Sequence, residues 1–378
     1  GVGGAGVGGT GVGGARVGGA RVGGTGVGGA GVGGARVGGT GVGRTGVGGA
    51  RVGGARVGGD GVAVVVPTHR RPELVVGAVE AALGQTVAVD EVVVVVDADG
   101  GGAEETEAAL SAIGDQRVRV VRRPGRGGPS QARNAGVAVT SAPWVAFCDD
   151  DDRWLPSKLA RQLDVLARAG WPPDAVVSTG VVARSPGSEY RWPKRFVDGT
   201  RSVGEYLFCT RTPFQGETLL HTSTLLASRS LLEAEPFDET LRNHEDWDWL
   251  VRAAGRGARF LAVPEHLAVW HIEEDRPGLT AVTGDWERSL AWAGRQRGRL
   301  GERAYSAFCL TVVAGRARAS GSARGVGAAL VAALGGSPPV RNLLWFPFYA
   351  VLSPGVRRRL RARLTSARLP SGRWSARS

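Results

Sequence analysis

The chain has 378 residues, a formal net charge of +12, 62 glycines, three cysteines and no methionine. The positive charge sits at the two ends, because residues 61–355 hold 33 basic and 34 acidic side chains. That balance counts against a basic face for nucleic acid, and three isolated cysteines (Cys148, Cys209, Cys309) with no CxxC pair indicate neither a zinc knot nor a disulfide framework.

Residues 1–60 are twelve pentapeptides of the GVGGA and RVGGT type. Valine every fifth residue fits neither a helical nor a strand period. Glycine at half the positions makes ordering entropically expensive. A low-complexity, disordered repeat is the expectation. No basic start followed by an apolar run marks a signal peptide, and lone thiols suit a reducing compartment. A cytoplasmic setting is therefore expected.

At Gly61 the texture changes. Val62–Val66 is a continuous β-branched run, as a strand buried on both faces requires. It stops at Pro67-Thr68-His69-Arg70-Arg71-Pro72, and a helix is expected from Pro72 to about Leu83. Glu91–Val96 reads as a second strand, closed by Asp97-Ala98-Asp99-Gly100. A helix over Glu104–Ile113, a strand over Arg117–Val121 and a helix over Ser130–Val139 follow. Trp144–Phe147 is a short strand running into Asp149-Asp150-Asp151-Asp152. Beyond it, Pro156–Ala169 reads as a helix, Ala175–Val182 and Leu219–Ala227 as strands, Asp246–Ala254 as a helix and Arg259–Val263 as a strand. Alternation of this kind predicts an α/β domain over 61–284 with a mainly parallel sheet. Ligands then bind beyond the carboxyl ends of the strands, where the polar clusters after Val66, Val96 and Phe147 fall.

Residues 285–378 read as a mostly helical extension with an Arg-rich tail. Its apolar stretches are too short to span a bilayer. Trp345, Phe346, Phe348 and Tyr349, followed by Arg357–Arg363, suit weak contact with an anionic membrane surface. They suit a packing helix with a basic end equally well.

The four adjacent aspartates carry the strongest chemical signal. They repel one another unless a counter-charge is present, and hard oxygen ligands suit Mg²⁺ or Mn²⁺ beside a substrate phosphate. With these residues the chain resembles the family 2 glycosyltransferases of the GT-A fold. Pro67-Thr68-His69-Arg70-Arg71 is similar to that family's P-T-x-x-R opening. Gly128-Pro129-Ser130-Gln131-Ala132-Arg133-Asn134-Ala135-Gly136 resembles its G-x-x-x-A-R-N-x-G segment. Asp149–Asp152 resembles its D-x-D strand end, and His244-Glu245-Asp246 its x-E-D motif. Ala98 departs from the pattern, since the family often has a second Asp there.

The resemblance implies a nucleotide-sugar donor (UDP-, dTDP- or GDP-linked), a hydroxyl-bearing acceptor and a divalent cation. Pro67, Thr68, Arg71, Asp97, Arg133, Asn134, Asp149 and Asp150 would border the nucleotide. Asp149, Asp151 and the late His271 would address the metal, with Asp150 open as an alternative. Asp246, with Glu245 beside it, would supply the catalytic carboxylate for single, inverting addition. Gln215-Gly216-Glu217 and His221-Thr222-Ser223-Thr224 fall where an acceptor-side loop is expected. Two other classes compete. A nucleotidyltransferase would carry a G-x-G-x-R loop near the first strand, and Pro67–Pro72 is not one. A glycine-rich structural protein explains residues 1–60 but not the ordered motifs.

Overall fold

The computed structural model describes residues 61–98, 101–185, 188–214, 216–272 and 285–365. The pentapeptide repeat, Asp99-Gly100, Gln215 and the end of the tail from 366 lie outside them. The apolar runs after Gly61 and Asp90 form β1 (Val62–Thr68) and β2 (Glu91–Ala98), parallel, with Val64 beside Val92. Between them runs α1 (Pro72–Leu83), which starts at Pro72 because a first-turn N–H needs no helical partner. Next come α2 (Ala103–Ser111), β3 (Val118–Pro124), α3 (Gly128–Val139) and β4 (Trp144–Phe147). β3 adds beside β2 and β4 beside β1, both parallel. The first half is thus the parallel layer the alternation predicts.

The second half is mixed rather than parallel. It holds β5 (Arg153–Trp154), α4 (Lys158–Arg168), β6 (Ala175–Ser185), β7 (Ser188–Trp192), α5 (Val203–Phe208), β8 (Leu226–Ser228), α6 (Arg229–Ala234), α7 (Glu245–Gly255) and β9 (Arg259–His271). The nine strands lie in the order β3-β2-β1-β4-β8-β6-β9-β5, with β7 against β6. β8 runs antiparallel to both β4 and β6 and joins the halves. The strand expected over Leu219–Ala227 shrinks to β8. Thr222–Thr224 is a single 3-10 turn instead, and the Thr224 hydroxyl donates to the His221 carbonyl at 2.6 Å. Hydroxyls that bond their own backbone compete with a strand ladder.

Alternation along β1 and β2 sorts the core into two layers. Val64, Val66, Val92 and Val94 meet α1, α2 and α4 on one face. Val65, Val93 and Val95 meet α3, α7 and the C-terminal helices on the other. Those helices are α8 (Trp286–Leu300), α9 (Glu302–Phe308), α10 (Ala314–Ala319, joined to α9 by a π turn at Cys309–Val313), α11 (Ala323–Leu334), α12 (Val340–Val351) and α13 (Pro354–Thr365). The extension therefore packs on the sheet domain and shares its core.

The aromatic cluster of α12 takes part in that packing, one of the two readings its sequence leaves open. Trp345 Nε1 donates to the Arg211 carbonyl at 3.2 Å and the Tyr349 hydroxyl to the Pro213 carbonyl at 2.9 Å. Phe348 stands edge-on to Phe214. Among the described residues no helix is long and apolar enough to cross a membrane.

Candidate active site

The acids after β4 are held by the end of β1. Thr68 donates to Asp150 at 2.7 Å, and Arg71 Nη1 reaches Asp150 at 3.0 Å and Asp151 at 3.1 Å. The P-T-x-x-R opening therefore supplies the counter-charge that adjacent carboxylates need. Burial still raises Asp150 to about 6 against the pull of Arg71. Asp151 is raised by burial and by the Asp149 charge. Burial alone would raise Asp149 too, but the Arg133 guanidinium holds it below the ordinary carboxylate range.

Asp97, at the end of β2, organises the glycine loop ahead of α3. Its Oδ2 accepts the Gly127 and Gly128 N–H groups at 2.9 and 3.0 Å, and its Oδ1 accepts Arg123 Nη1 at 2.7 Å. A carboxylate has about four acceptor positions, so one remains for a ligand. Gly128 has φ +78°, a conformation that favours glycine.

The A-R-N-x-G residues of α3 divide their work. A Cβ at Gly136 would stand 2.4 Å from Val65 Cγ1, so glycine lets α3 lie on β1. Arg133, buried, donates through Nη2 to Asp149 at 2.8 Å, and its Nη1 lies 3.9 Å from Glu245. Asn134 turns away from the acids. Its amide donates to the Phe237 carbonyl at 2.9 Å and its oxygen accepts the Phe237 N–H at 2.9 Å. That pairing replaces the nucleotide contact expected from the sequence with a clamp on the chain before α7.

Glu245 and Asp246 open α7, reached through His244 in the left-handed region at φ 64°. Such a backbone persists only where its surroundings enforce it. The buried His244 ring stacks on Trp247 with centroids 5.0 Å apart, and its Nε2 lies 3.0 Å from the Ser289 hydroxyl of α8. Burial drops it to about 3, so it is neutral. Asp248 Oδ1 accepts Trp292 Nε1 and Gln296 Nε2, both at 2.9 Å. The extension thus fixes the turn that carries Asp246. Burial and the neighbouring Glu245 charge raise the Asp246 carboxyl to about 7, where a general base works best near neutral pH.

Two sets of groups face a cation. Asp149, Asp152 and His221 bring one ligand atom each within 4.8 Å of one another. Asp152 is only 1% exposed. Neither of its oxygens nor His221 Nδ1 has a hydrogen-bond partner; Ser223 lies beside Asp152 without hydrogen-bond geometry. Burial and the Asp149 charge push Asp152 well above the carboxylate range, and burial lowers His221 against the pull of Asp149. The other set is Asp149 and Asp151, with 27% and 34% of their side chains open. A cation that keeps waters and bridges phosphates needs accessible carboxylates, so the open pair fits such an ion better than the enclosed Asp152 and His221. His271 comes to Asp151, but Nδ1 meets the backbone carbonyl at 2.9 Å rather than the carboxylate. Sequence reasoning missed Asp152, Arg123, Ser289, Trp292 and Gln296. Only Asp152 carried a signal, its place in the acid run.

Residues 63–235 match the family model described as glycosyl transferase family 2. Succinoglycan biosynthesis protein ExoO of Rhizobium meliloti (strain 1021) is 31% identical over 56% of this chain and 61% of its own length. The match thus spans about three fifths of that relative. Amylovoran biosynthesis glycosyltransferase AmsB of Erwinia amylovora is 25% identical over 56% of this chain and 69% of its own. In structure, the mannosyltransferase PcManGT of Pyrobaculum calidifontis, solved with GDP-Man and Mn²⁺, aligns at a TM-score of 0.50 and 21% identity. It covers 80% of this chain and 84% of that one. The fold is GT-A.

Proposed function

We propose, from the premise that residues 63–235 belong to glycosyl transferase family 2, that the chain moves a sugar from a nucleoside diphosphate to a hydroxyl of a cell-surface polysaccharide or its lipid-linked precursor. The polysaccharide class comes from the names of the succinoglycan and amylovoran relatives. Transfer is single and inverting. The observation that carries the reading is Arg133, which ties the Asp149 side of the acid run to Glu245 and hence to Asp246. Donor acids and a carboxyl of about 7 then share one end of the sheet.

Pro67, Thr68, Arg71 and the spare acceptor of Asp97 border the nucleoside. Asp149 and Asp151 would hold Mg²⁺ or Mn²⁺, and His271 steadies Asp151 through its carbonyl. When bound, such an ion offsets charge growing on the departing diphosphate. Asp246 takes the acceptor proton as the acceptor oxygen bonds to the sugar carbon from the face opposite the breaking bond to phosphate. The electron pair leaves with the diphosphate, and no bond to the enzyme forms. Donor sugars of this kind are cytoplasmic, so the chain works at the inner face of the membrane.

A panel of UDP-, dTDP- and GDP-sugars, scored for nucleoside diphosphate release with and without EDTA, tests the reading. Release of one nucleotide, abolished by EDTA and restored by Mg²⁺ or Mn²⁺, supports it. Absence of release from every donor with candidate acceptors sinks it.

A further inference from the structure

Two of the C-terminal helices break the pattern of the rest of the surface. Among the described residues, five large apolar side chains keep more than half their surface exposed. They are Val331 at 72%, Leu334 at 58%, Val340 at 71%, Leu344 at 70% and Val351 at 64%. All lie on α11 and α12. At about 100° per residue, Val340, Leu344, Pro347 and Val351 fall within about 60° of one another, a single stripe along α12. The opposite side of that helix, Asn342 and Tyr349, is the one spent on the domain, through the Phe208 and Pro213 carbonyls. On α11, Val331 and Leu334 are three residues apart and share a side. A surface helix ordinarily turns charged residues outward, and exposed apolar faces mark interaction sites.

The sign of the charge in this part of the sequence points to what the stripe meets. Residues 303–378 contain thirteen arginines and no acid. Arg324, two turns before Val331 on the same side of α11, and Arg341, next to Val340 in α12, are exposed, and neither forms an ion pair among the described residues. An occupant must offer an apolar layer edged by negative charge. A bilayer with anionic headgroups does so. We infer that α11 and α12 dock this chain on an anionic membrane through Val331, Leu334, Val340, Leu344 and Val351, with Arg324 and Arg341 at the headgroups. The lipid contact is aliphatic, and the α12 aromatics stay in the protein. This inference does not depend on the catalytic reading.

Co-sedimentation of the full chain with phosphatidylglycerol-containing and with pure phosphatidylcholine vesicles, at low and high salt, tests it. Binding to the anionic vesicles that weakens with salt is expected. Leu344→Glu combined with Val351→Glu should weaken that binding by about tenfold or more, the scale of one buried leucine. Leu344→Ser, milder at the same exposed position, should weaken it in the same direction with an unchanged melting temperature. Arg324→Glu with Arg341→Glu should remove the preference for anionic lipid. Equal binding to both vesicle types, or vesicle binding unchanged in both Leu344 variants, overturns the proposal. So does a dimer in sedimentation velocity that Leu344→Ser dissociates while no vesicle binds, since the face would then belong to a second copy.

Discussion

Arg133 on α3 donates to Asp149 across 2.8 Å from a site that is almost wholly buried. The same guanidinium faces Glu245 at 3.9 Å, and its Nε and Nη1 have no hydrogen-bond partner in the protein. A buried cation between two acids ties the Asp149 side of the site to the Glu245 side.

Replacing Arg133 by Met should cost about 3 kcal/mol, because breaking one side of a buried ion pair strands the other charge, here eased by the partial exposure of Asp149. Arg133→Lys should not recover it, since one ammonium cannot repeat a planar fork with several donors. Urea denaturation measures both. A loss below about 0.5 kcal/mol in the Met variant means that the pair is solvated.

Asp151→Asn and Asp152→Asn separate the two cation readings. Asp152 is enclosed and its amide keeps the size of the side chain, so Mn²⁺-dependent UDP or GDP binding by calorimetry should stay near wild type in that variant. Asp151→Asn should abolish the metal-dependent part and leave a weak metal-independent remainder. The reverse pattern would move the ion to Asp149, Asp152 and His221.

Asn134→Ala should destabilise the fold by about 1–3 kcal/mol, because it leaves the N–H and carbonyl of Phe237 without partners. Nucleotide affinity of the folded protein should hardly change. A large affinity loss at unchanged melting temperature would return Asn134 to the nucleotide.

The difference between Arg133 and Asn134 marks where sequence reading stops. Both belong to one motif, and the sequence says only that polar residues follow a glycine loop. Which one turns inward depends on the rotation of α3, which the contact of Gly136 with Val65 sets. The strands β1 and β2 are legible because parallel strands buried on both faces need nearly unbroken β-branched runs. Leu219–Ala227 differs because its apolar and threonine-rich sequence suits a strand until the Thr224 hydroxyl bonds its own backbone at the His221 carbonyl. Trp292 and Gln296 carry no motif at all. They matter because α8 folds back on α7 across more than forty residues, a pairing that no local pattern encodes.

Asp246 gives the sharpest test. Its carboxyl sits at about 7 against an ordinary 3.8, so the folded protein holds a proton there that the unfolded chain releases. Stability from this group is full below the unfolded value and is lost as pH rises through about 7. Activity runs the other way, because only the ionised form accepts the acceptor proton. Turnover of the wild type should climb with pH on a limb near 7. Asp246→Asn keeps the shape and a neutral side chain but cannot take the proton. Turnover should fall by about a hundredfold to ten-thousandfold, while nucleotide and Mn²⁺ binding persist through Asp97, Asp149 and Asp151. The Asn variant should also lose less stability than the wild type between acidic and neutral pH, the window between the unfolded and folded values. An acid that merely favours the start of α7 predicts otherwise. Its amide would cost about 0.3–1 kcal/mol at neutral pH and leave turnover nearly normal. Melting temperature, nucleotide affinity and turnover measured across pH in this one variant decide between them. Near wild-type turnover would pass the role of base to Glu245, one residue earlier and on the Arg133 side of the turn.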